Sequence, residues 1–250
     1  MAYRTTPSYT FSLPGFTRAV KLLIIVTCSV YVLQGLAQSI PLFSGIQFGW
    51  LYLHSQDVRH GAFWQPFTYL FFHAGLLHLG FNMLGLWMFG GPVEEALGFR
   101  RFYTLYFLSG VGAGLVDVGM HWVLRPGLDS VTIGASGAVF GVLLAFALMF
   151  PNQPIFLLLP PITVKAKWLV LAFGIIEFLS SLGPAGMDQV SHFAHLGGML
   201  FAFLYLRAKF PFAGVSQHYA LWKRRRLQRR FEVYMSKRDR PRGDDDRWTN

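Results

Sequence analysis

The chain has 250 residues, 53% of them hydrophobic and only 14% charged, with a mean hydropathy of +0.40 and a formal net charge of +10. A soluble domain carries roughly 25% charge, so the composition excludes a conventional water-soluble enzyme and a disordered chain, and points to membrane spans. Residues 207–250 hold 13 Lys/Arg against 5 Asp/Glu, and residues 1–206 hold 9 against 7, so the positive charge belongs to a tail and is not the footprint of a nucleic-acid-binding domain.

In chain order, the uncharged run 22–37 after Lys21 predicts helix 1. The run is long for a signal-peptide core and no clean small-x-small cleavage site follows it, so it reads as a retained helix. The single cysteine, Cys28, lies inside this run and allows neither an intrachain disulfide nor a thiolate metal cluster. Residues 39–75 carry Pro41, Trp50, His54, Asp57, Arg59, His60, Trp64, Pro66 and His73. They are too polar for a span and too aromatic for a plain linker, which predicts a loop at the membrane interface. Helix 2 is expected over 76–97, before Arg100 and Arg101. Helix 3 is expected over 102–124, with Asp117 inside it and Arg125-Pro126-Gly127 at its end. Residues 130–164 hold no charge, which is more than one span needs. Pro151-Asn152-Gln153-Pro154 splits them and leaves a short helix 4 over 134–150. Helix 5 is expected over 167–182 with Glu177 inside, then a turn at Gly183-Pro184-Ala185-Gly186, then helix 6 over 189–206.

The expected architecture is therefore all-α: a polytopic, six-helix membrane domain over 17–208, between an N-terminal segment 1–16 and a basic tail 209–250. Six spans put both termini on one side. With that side cytoplasmic, 20 of the 22 cations lie inside and only Arg59 and Arg125 lie outside, as the positive-inside rule requires. No inverted duplication of the transporter kind is visible.

Polar groups inside a bilayer are costly and usually functional. Ser136 stands in Gly134-Ala135-Ser136-Gly137 at the start of helix 4. Small neighbours admit a substrate backbone, and a helix N-terminus leaves backbone N–H groups free to stabilise an oxyanion. Taken alone, the motif reads more simply as a packing face, because Gly137 and Gly141 form a Gly-xxx-Gly pair. His195, in Ala194-His195-Leu196-Gly197-Gly198, shares a helix face with Gly198 and Ala202. A neutral imidazole there suits a general base for a serine, or is simply satisfied by a backbone carbonyl. His78 and Asn82 share a face of helix 2 and offer two donors for an oxyanion hole, or interhelical hydrogen bonds. His192 and His195 raise the question of a metal, but no His-Glu-x-x-His motif is present, and neither Asp117 nor Glu177 flanks a histidine in sequence. No metal is expected. Asp117 and Glu177 need partners of their own. Asp117 or Asp188 orienting His195 is the triad alternative, and structural pairing is the preferred one.

Taken together and in this order, these residues resemble the rhomboid family of intramembrane serine proteases. The resemblance runs over about 62–205 through Trp64-Gln65-Pro66-Phe67-Thr68, His73, His78-x-x-x-Asn82, Gly90-Gly91-Pro92-Val93-Glu94, Gly98, Gly134-Ala135-Ser136-Gly137 and Ala194-His195-Leu196-Gly197-Gly198. It implies a Ser–His dyad without an acid partner, with Ser136 as nucleophile and His195 as base and then acid. It also implies an oxyanion hole from His78, Asn82 and the Ser136 N–H, with Phe140, Gly134, Gly137 and Gly198 supporting the site. Glu94 takes a structural role, and helix 5 a gating one. Gln65 stands where the family has arginine, and Phe140 where many members have tyrosine. No cofactor is implied. The expected partners are transmembrane protein substrates, with anionic lipid headgroups against the run 223–230, and no nucleic acid. By resemblance the membrane is a bacterial inner membrane. The rival readings are a catalytically dead rhomboid-like escort, which would lack the serine or histidine, and a small transporter.

Overall fold

The computed structural model describes residues 15–40, 47–157, 161–183 and 191–209, together with Gln228. The N-terminal segment through residue 14, Asp188 and the basic run 223–230 apart from Gln228 lie outside the described residues. Six long helices carry the fold: α1 Arg18–Ser39, α2 Leu76–Leu97, α3 Phe99–Leu124, α4 Ser136–Met149, α5 Ala166–Ser181 and α6 His192–Lys209. Each matches an expected helix within a few residues. α2 contains one wider turn, a π-helical stretch over Leu86–Gly90. Three of the six, α1, α2 and α3, are long and apolar enough to cross a membrane, and α4 is an apolar helix of only 14 residues.

Short helical turns at Gly49–Leu51, Ser55–Arg59, Gln65–Thr68 and Tyr69–Phe71 and two short antiparallel pairings make up the rest of the regular structure described. β1 (Leu53–His54) pairs with β2 (Val131–Thr132), and β3 (Pro154–Leu157) pairs with β4 (Ile162–Lys165). The second hairpin accounts for the surplus of uncharged residues after helix 4. That stretch is β-rich in type, bounded by prolines and too short to continue a helix, so it folds back on itself.

α4 is apolar around its whole circumference, as suits a helix enclosed by other helices or by lipid. Gly137, Ala138, Gly141, Val142, Ala145, Phe146 and Met149 are all buried, with α3 and α6 packed closely about it. The outer faces of the other helices invert the usual pattern: Leu76, Leu77, Phe81, Val123, Leu171, Ile175 and Leu179 are exposed, while Asn82, Glu94, Ser109, Asp117 and Glu177 are buried. An apolar surface of that extent suits hydrocarbon and not water. The chain is an integral membrane protein.

The interfacial loop is well anchored. Gln65, fully buried, accepts from the His54 N–H at 2.9 Å and donates to Asp57 Oδ2 at 3.1 Å and to the Trp50 carbonyl at 3.3 Å. An amide can both donate and accept, so glutamine ties the loop together at the position where arginine was the family expectation. Asp129, on the α3–α4 connection, accepts from His54 Nδ1 at 3.0 Å, Ser55 Oγ at 3.1 Å and the Gln56 N–H at 3.0 Å. Partial burial by itself would raise its pKa. The hydrogen bonds from His54, Gln56 and Ser55 outweigh that and hold it below the ordinary aspartate value. Its folded pKa being depressed, its contribution to stability is present above the unfolded value of about 3.9 and is lost as pH falls through the folded one. Hydrogen-exchange protection at Ser55 and Gln56 is expected to fall in that acidic window in wild type. In Asp129→Asn it should already be reduced at neutral pH.

Glu94 closes the other end of the bundle. Its carboxylate, 5% exposed, accepts from the backbone N–H of Ala19 at 2.8 and 2.9 Å, from that of Val20 at 3.0 Å, and from Thr17 Oγ1. α1 has no capping side chain of its own, so the anion from α2 satisfies its first N–H groups and the positive end of its dipole. Glu94→Ala leaves those donors buried and unpaired and is expected to destabilise the protein by about 2 kcal/mol or more, read as a lowered unfolding midpoint in detergent. Glu94→Gln should fall between.

Candidate active site

Ser136 opens α4, and the backbone before it is shaped by Gly134. That residue has φ +120, in a region side chains rarely adopt. A Cβ there would also sit 2.7 Å from both Cε1 and Nε2 of His78, so only glycine lets the imidazole lie against the turn. The Gly134 N–H donates to the Tyr69 carbonyl at 3.0 Å, and the buried Tyr69 hydroxyl donates to the Gly110 carbonyl at 2.7 Å. The turn is thereby fixed to α3 as well as to the loop.

His195 lies one turn into α6. Its Nε2 is 2.8 Å from Ser136 Oγ. Its ring stacks on Phe140, one turn along α4 from Ser136, with centroids 4.1 Å apart and planes 10° apart. Phe173 of α5 meets the edge of Phe140 at 6.2 Å. Phenylalanine thus supplies the flat surface that fixes the imidazole plane, without a hydroxyl.

What brings α4 and α6 so close is the absence of side chains between them. A Cβ on Gly198 would land on the Gly137 carbonyl, and one on Gly141 would stand 2.9 Å from the Gly198 carbonyl. One on Gly137 would stand 2.5 Å from the Ala113 Cβ. The small-residue packing face and the serine motif, weighed as alternatives in the sequence, occupy the same residues. The start of α6 is held separately. Ser191 Oγ accepts from the Ala194 N–H at 3.2 Å, as an N-cap does, and itself donates to Asp117 Oδ1. Asp117 Oδ2 accepts from Thr132 Oγ1 at 2.8 Å. Asp117 is therefore a structural clamp from α3 to the head of α6, in keeping with the preferred reading of structural pairing.

His78 and Asn82 lie on one face of α2, with His78 over Gly134. Asn82 Nδ2 donates to the His78 carbonyl at 2.9 Å, which uses one of its two N–H groups. Next to this pair is His73, which the sequence placed in the motif series without a role. It is almost fully buried, its ring is 4.9 Å from that of His78, and its Nε2 accepts from the Ala135 N–H at 3.4 Å. Burial, and then the neighbouring His78, push its pKa down to about 4, so the ring is neutral and acts as a support for the turn before Ser136.

Glu177 departs most from expectation. It is remote from every histidine in sequence, yet the fold sets it between two. Oε2 is 2.6 Å from His192 Nδ1 and 2.9 Å from His195 Nδ1. The contact to His192 is a hydrogen bond. The contact to His195 has hydrogen-bond length, but the oxygen stands off the N–H direction, so the buried Nδ1 has no in-line partner among the described residues. One side-chain atom from each of Glu177, His192 and His195 lies within 4.8 Å of the others. A signal for this placement exists in the sequence: Ala166, Val170, Phe173 and Glu177 fall on one helical stripe, the inward face of α5.

A rhomboid domain model matches residues 60–212. The chain belongs to the rhomboid family. It is 35% identical over 141 residues to the mitochondrial rhomboid protein 1 of Saccharomyces cerevisiae, covering 54% of this chain and 38% of that protein. It is 32% identical over 160 residues to the putative rhomboid protease YdcA of Bacillus subtilis, covering 62% and 74%. It is 33% identical over 178 residues to the chloroplastic rhomboid-like protein 11 of Arabidopsis thaliana, covering 62% and 56%. The match spans less than two thirds of the yeast and plant proteins. The rhomboid motifs all fall within the matched region, and the fold gathers Ser136, His195, His78, Asn82 and Phe140 at one end of the bundle.

Gly198→Ala is expected to force α4 and α6 apart, costing about 1–3 kcal/mol by overpacking. Labelling of Ser136 by a fluorophosphonate should then fall further than the loss of folded protein accounts for, since the 2.8 Å contact depends on that approach.

Proposed function

We propose that this rhomboid protein is an intramembrane serine endopeptidase that cleaves single-span membrane proteins near the outer membrane boundary. The observation that carries the reading is the 2.8 Å contact between His195 Nε2 and Ser136 Oγ. In this reading Nε2 takes the hydroxyl proton as Ser136 attacks the scissile carbonyl. The imidazolium then protonates the leaving amine, and in the second half-reaction the neutral imidazole so regenerated takes a proton from the water that attacks the acyl-enzyme. The negative oxygen of the tetrahedral intermediate is held by His78, the free N–H of Asn82 and the backbone N–H of Ser136 at the head of α4. Keeping both the serine and the histidine in contact argues against an inactive escort, and the clustering of polar groups at one end of the bundle argues against a transport path.

Peptide hydrolysis needs water, which the hydrocarbon core lacks. The site lies at the end of the bundle covered by the 47–75 loop and the α3–α4 connection, where water has a short path. A substrate helix must unwind there, because its carbonyls are otherwise hydrogen-bonded. Cleavage at small residues flanked by helix breakers fits that requirement. All six helices cross the membrane in this reading, with domain limits at 17 and 208. Arg100, Arg101, Lys165, Lys167 and the tail cations lie on the cytoplasmic side with both termini, and the site lies on the other. The tail meets anionic headgroups, and the membrane is a bacterial inner membrane.

Purified protein in proteoliposomes with a single-span reporter tests this. Wild type is expected to cleave, and Ser136→Ala and His195→Ala to lose at least about 10³-fold of the rate. Cleavage by Ser136→Ala at the wild-type rate would end the reading. His78→Ala and Asn82→Ala should each lower kcat by about 10- to 10³-fold with a smaller effect on KM.

A further inference from the structure

Three features of His195 point outside a two-residue mechanism. Its ring plane is fixed by the stack on Phe140. Its rotation within that plane is fixed by Nε2 on Ser136. Its remaining nitrogen, Nδ1, is therefore presented to α5, where the Glu177 carboxylate stands 2.9 Å away and nearly buried. We propose that Glu177 is a positioning residue for the protease: it makes His195 the third-party-supported base of a Ser136–His195–Glu177 relay, in place of a bare dyad. This rests on the protease reading above.

The physical case has two parts. First, a carboxylate beside Nδ1 favours the tautomer with its proton there, leaving Nε2 free to accept from Ser136 Oγ. The opposite tautomer would point a proton at the hydroxyl oxygen and set a lone pair against the anion. Second, when the serine proton arrives on Nε2 the ring becomes an imidazolium stacked on the apolar face of Phe140. Coulomb stabilisation depends on distance more than on alignment, so the off-line resting contact still supports the cation. The proton stays on the imidazole, Glu177 remains an anion throughout, and no atom is transferred to it. The second imidazole, His192, holds the other side of the carboxylate oxygen at 2.6 Å, which keeps Oε2 facing His195 and not lipid. The ionisable side chains around this group are Glu177, His192, His195 and, across the site, His78.

The experiment compares wild type, Ser136→Ala, Glu177→Gln, Glu177→Asp and His192→Gln, full length and in proteoliposomes. Kinetics of reporter cleavage, fluorophosphonate labelling rates and unfolding midpoints are read together. Glu177→Gln is nearly isosteric and uncharged. It is expected to lower kcat by about 10²-fold, with KM little changed, and to slow labelling of Ser136 by a similar factor. Glu177→Asp, which keeps the charge but shortens the reach, should recover part of the loss, and His192→Gln should cost less than Glu177→Gln. Glu177→Gln within about threefold of the wild-type kcat, or Gln and Asp equally impaired alongside a lowered unfolding midpoint, would overturn the inference. Wild type serves where a variant fails to fold. With Ser136 phosphonylated, which mimics the tetrahedral intermediate, the His195 Nδ1 proton should appear as a far-downfield NMR signal as the carboxylate swings into line. Absence of that signal would also overturn it. Inactive Ser136→Ala beside fully active Glu177→Gln removes this inference and leaves the protease reading standing, whereas an active Ser136→Ala removes the protease reading itself.

Discussion

The site depends on one close approach. α4 and α6 touch through backbone, with the Gly137 and Gly198 positions too tight for any side chain. Hydrophobic collapse cannot press helices together in hydrocarbon, because lipid tails are as apolar as leucine. Dispersion between surfaces that fit closely does it, and glycine allows the fit. The consequence is chemical as well as mechanical. Ser136 stands one residue before Gly137, and His195 one helical turn before Gly198, so the approach that packs the bundle also sets Nε2 on Oγ. Stability and chemistry share the same few glycines, which is why the serine motif could not be separated from a packing motif by composition.

The second constraint is that every buried polar group must find a partner where water is absent. Three carboxylates meet it in different ways. Glu94 is neutralised by the N-terminal N–H groups of α1, a use that needs no cation. Asp117 takes hydroxyls from Thr132 and Ser191 and so joins α3 to the head of α6. Glu177 takes two imidazoles. Asp117 also has an imidazole beside it, with His121 Nδ1 3.4 Å from its Oδ1. In the proposed reading, Glu177 faces the one imidazole that takes up a proton during the reaction, and its 2.9 Å contact with His195 Nδ1 lies off the N–H direction.

The helices were legible as apolar runs, ended by charges in some places and by proline and glycine in others, as at Pro151–Pro154 after α4. Their ends agree within a few residues for the same reason. The hairpin 154–165 was not read from the sequence: its β-branched residues and prolines are a strand signal, but they sit in an uncharged run continuous with helix 4. In the site, Ser136, His195, His78 and Asn82 were visible because each is a polar residue in an apolar setting. Glu177 was equally visible as a residue and invisible as a partner. Its relation to His195 is a contact between different helices, 18 residues apart in sequence, and no local pattern encodes it. The inward stripe 166, 170, 173, 177 was the nearest available sign, and it indicates a direction without a destination. His73 and Tyr69 act through backbone geometry, by holding the turn before Ser136, and that role has no signature in residue type.

The two departures from the family pattern show how a site can be conserved in physics and altered in chemistry. Gln65 does by amide hydrogen bonds what an arginine would do by charge, and within a loop that already holds Asp57 an uncharged donor and acceptor satisfies both the carboxylate and the His54 N–H. Phe140 gives up a hydroxyl and keeps the ring, and the stack on His195 at 4.1 Å is nearly parallel. A ring held that flat loses freedom in one direction only. It can still turn in its own plane, and that rotation is stopped by what stands at its two nitrogens: Ser136 at one and Glu177 at the other. The length of α4 then places the pair. Fourteen residues rise about 21 Å, short of the roughly 30 Å of a hydrocarbon core, so a helix of this length that reaches one surface starts inside the other. In the proposed reading that recesses Ser136, its first residue, from the lipid headgroups and leaves it near the loops, where a longer helix 4 would carry the hydroxyl out of the bilayer.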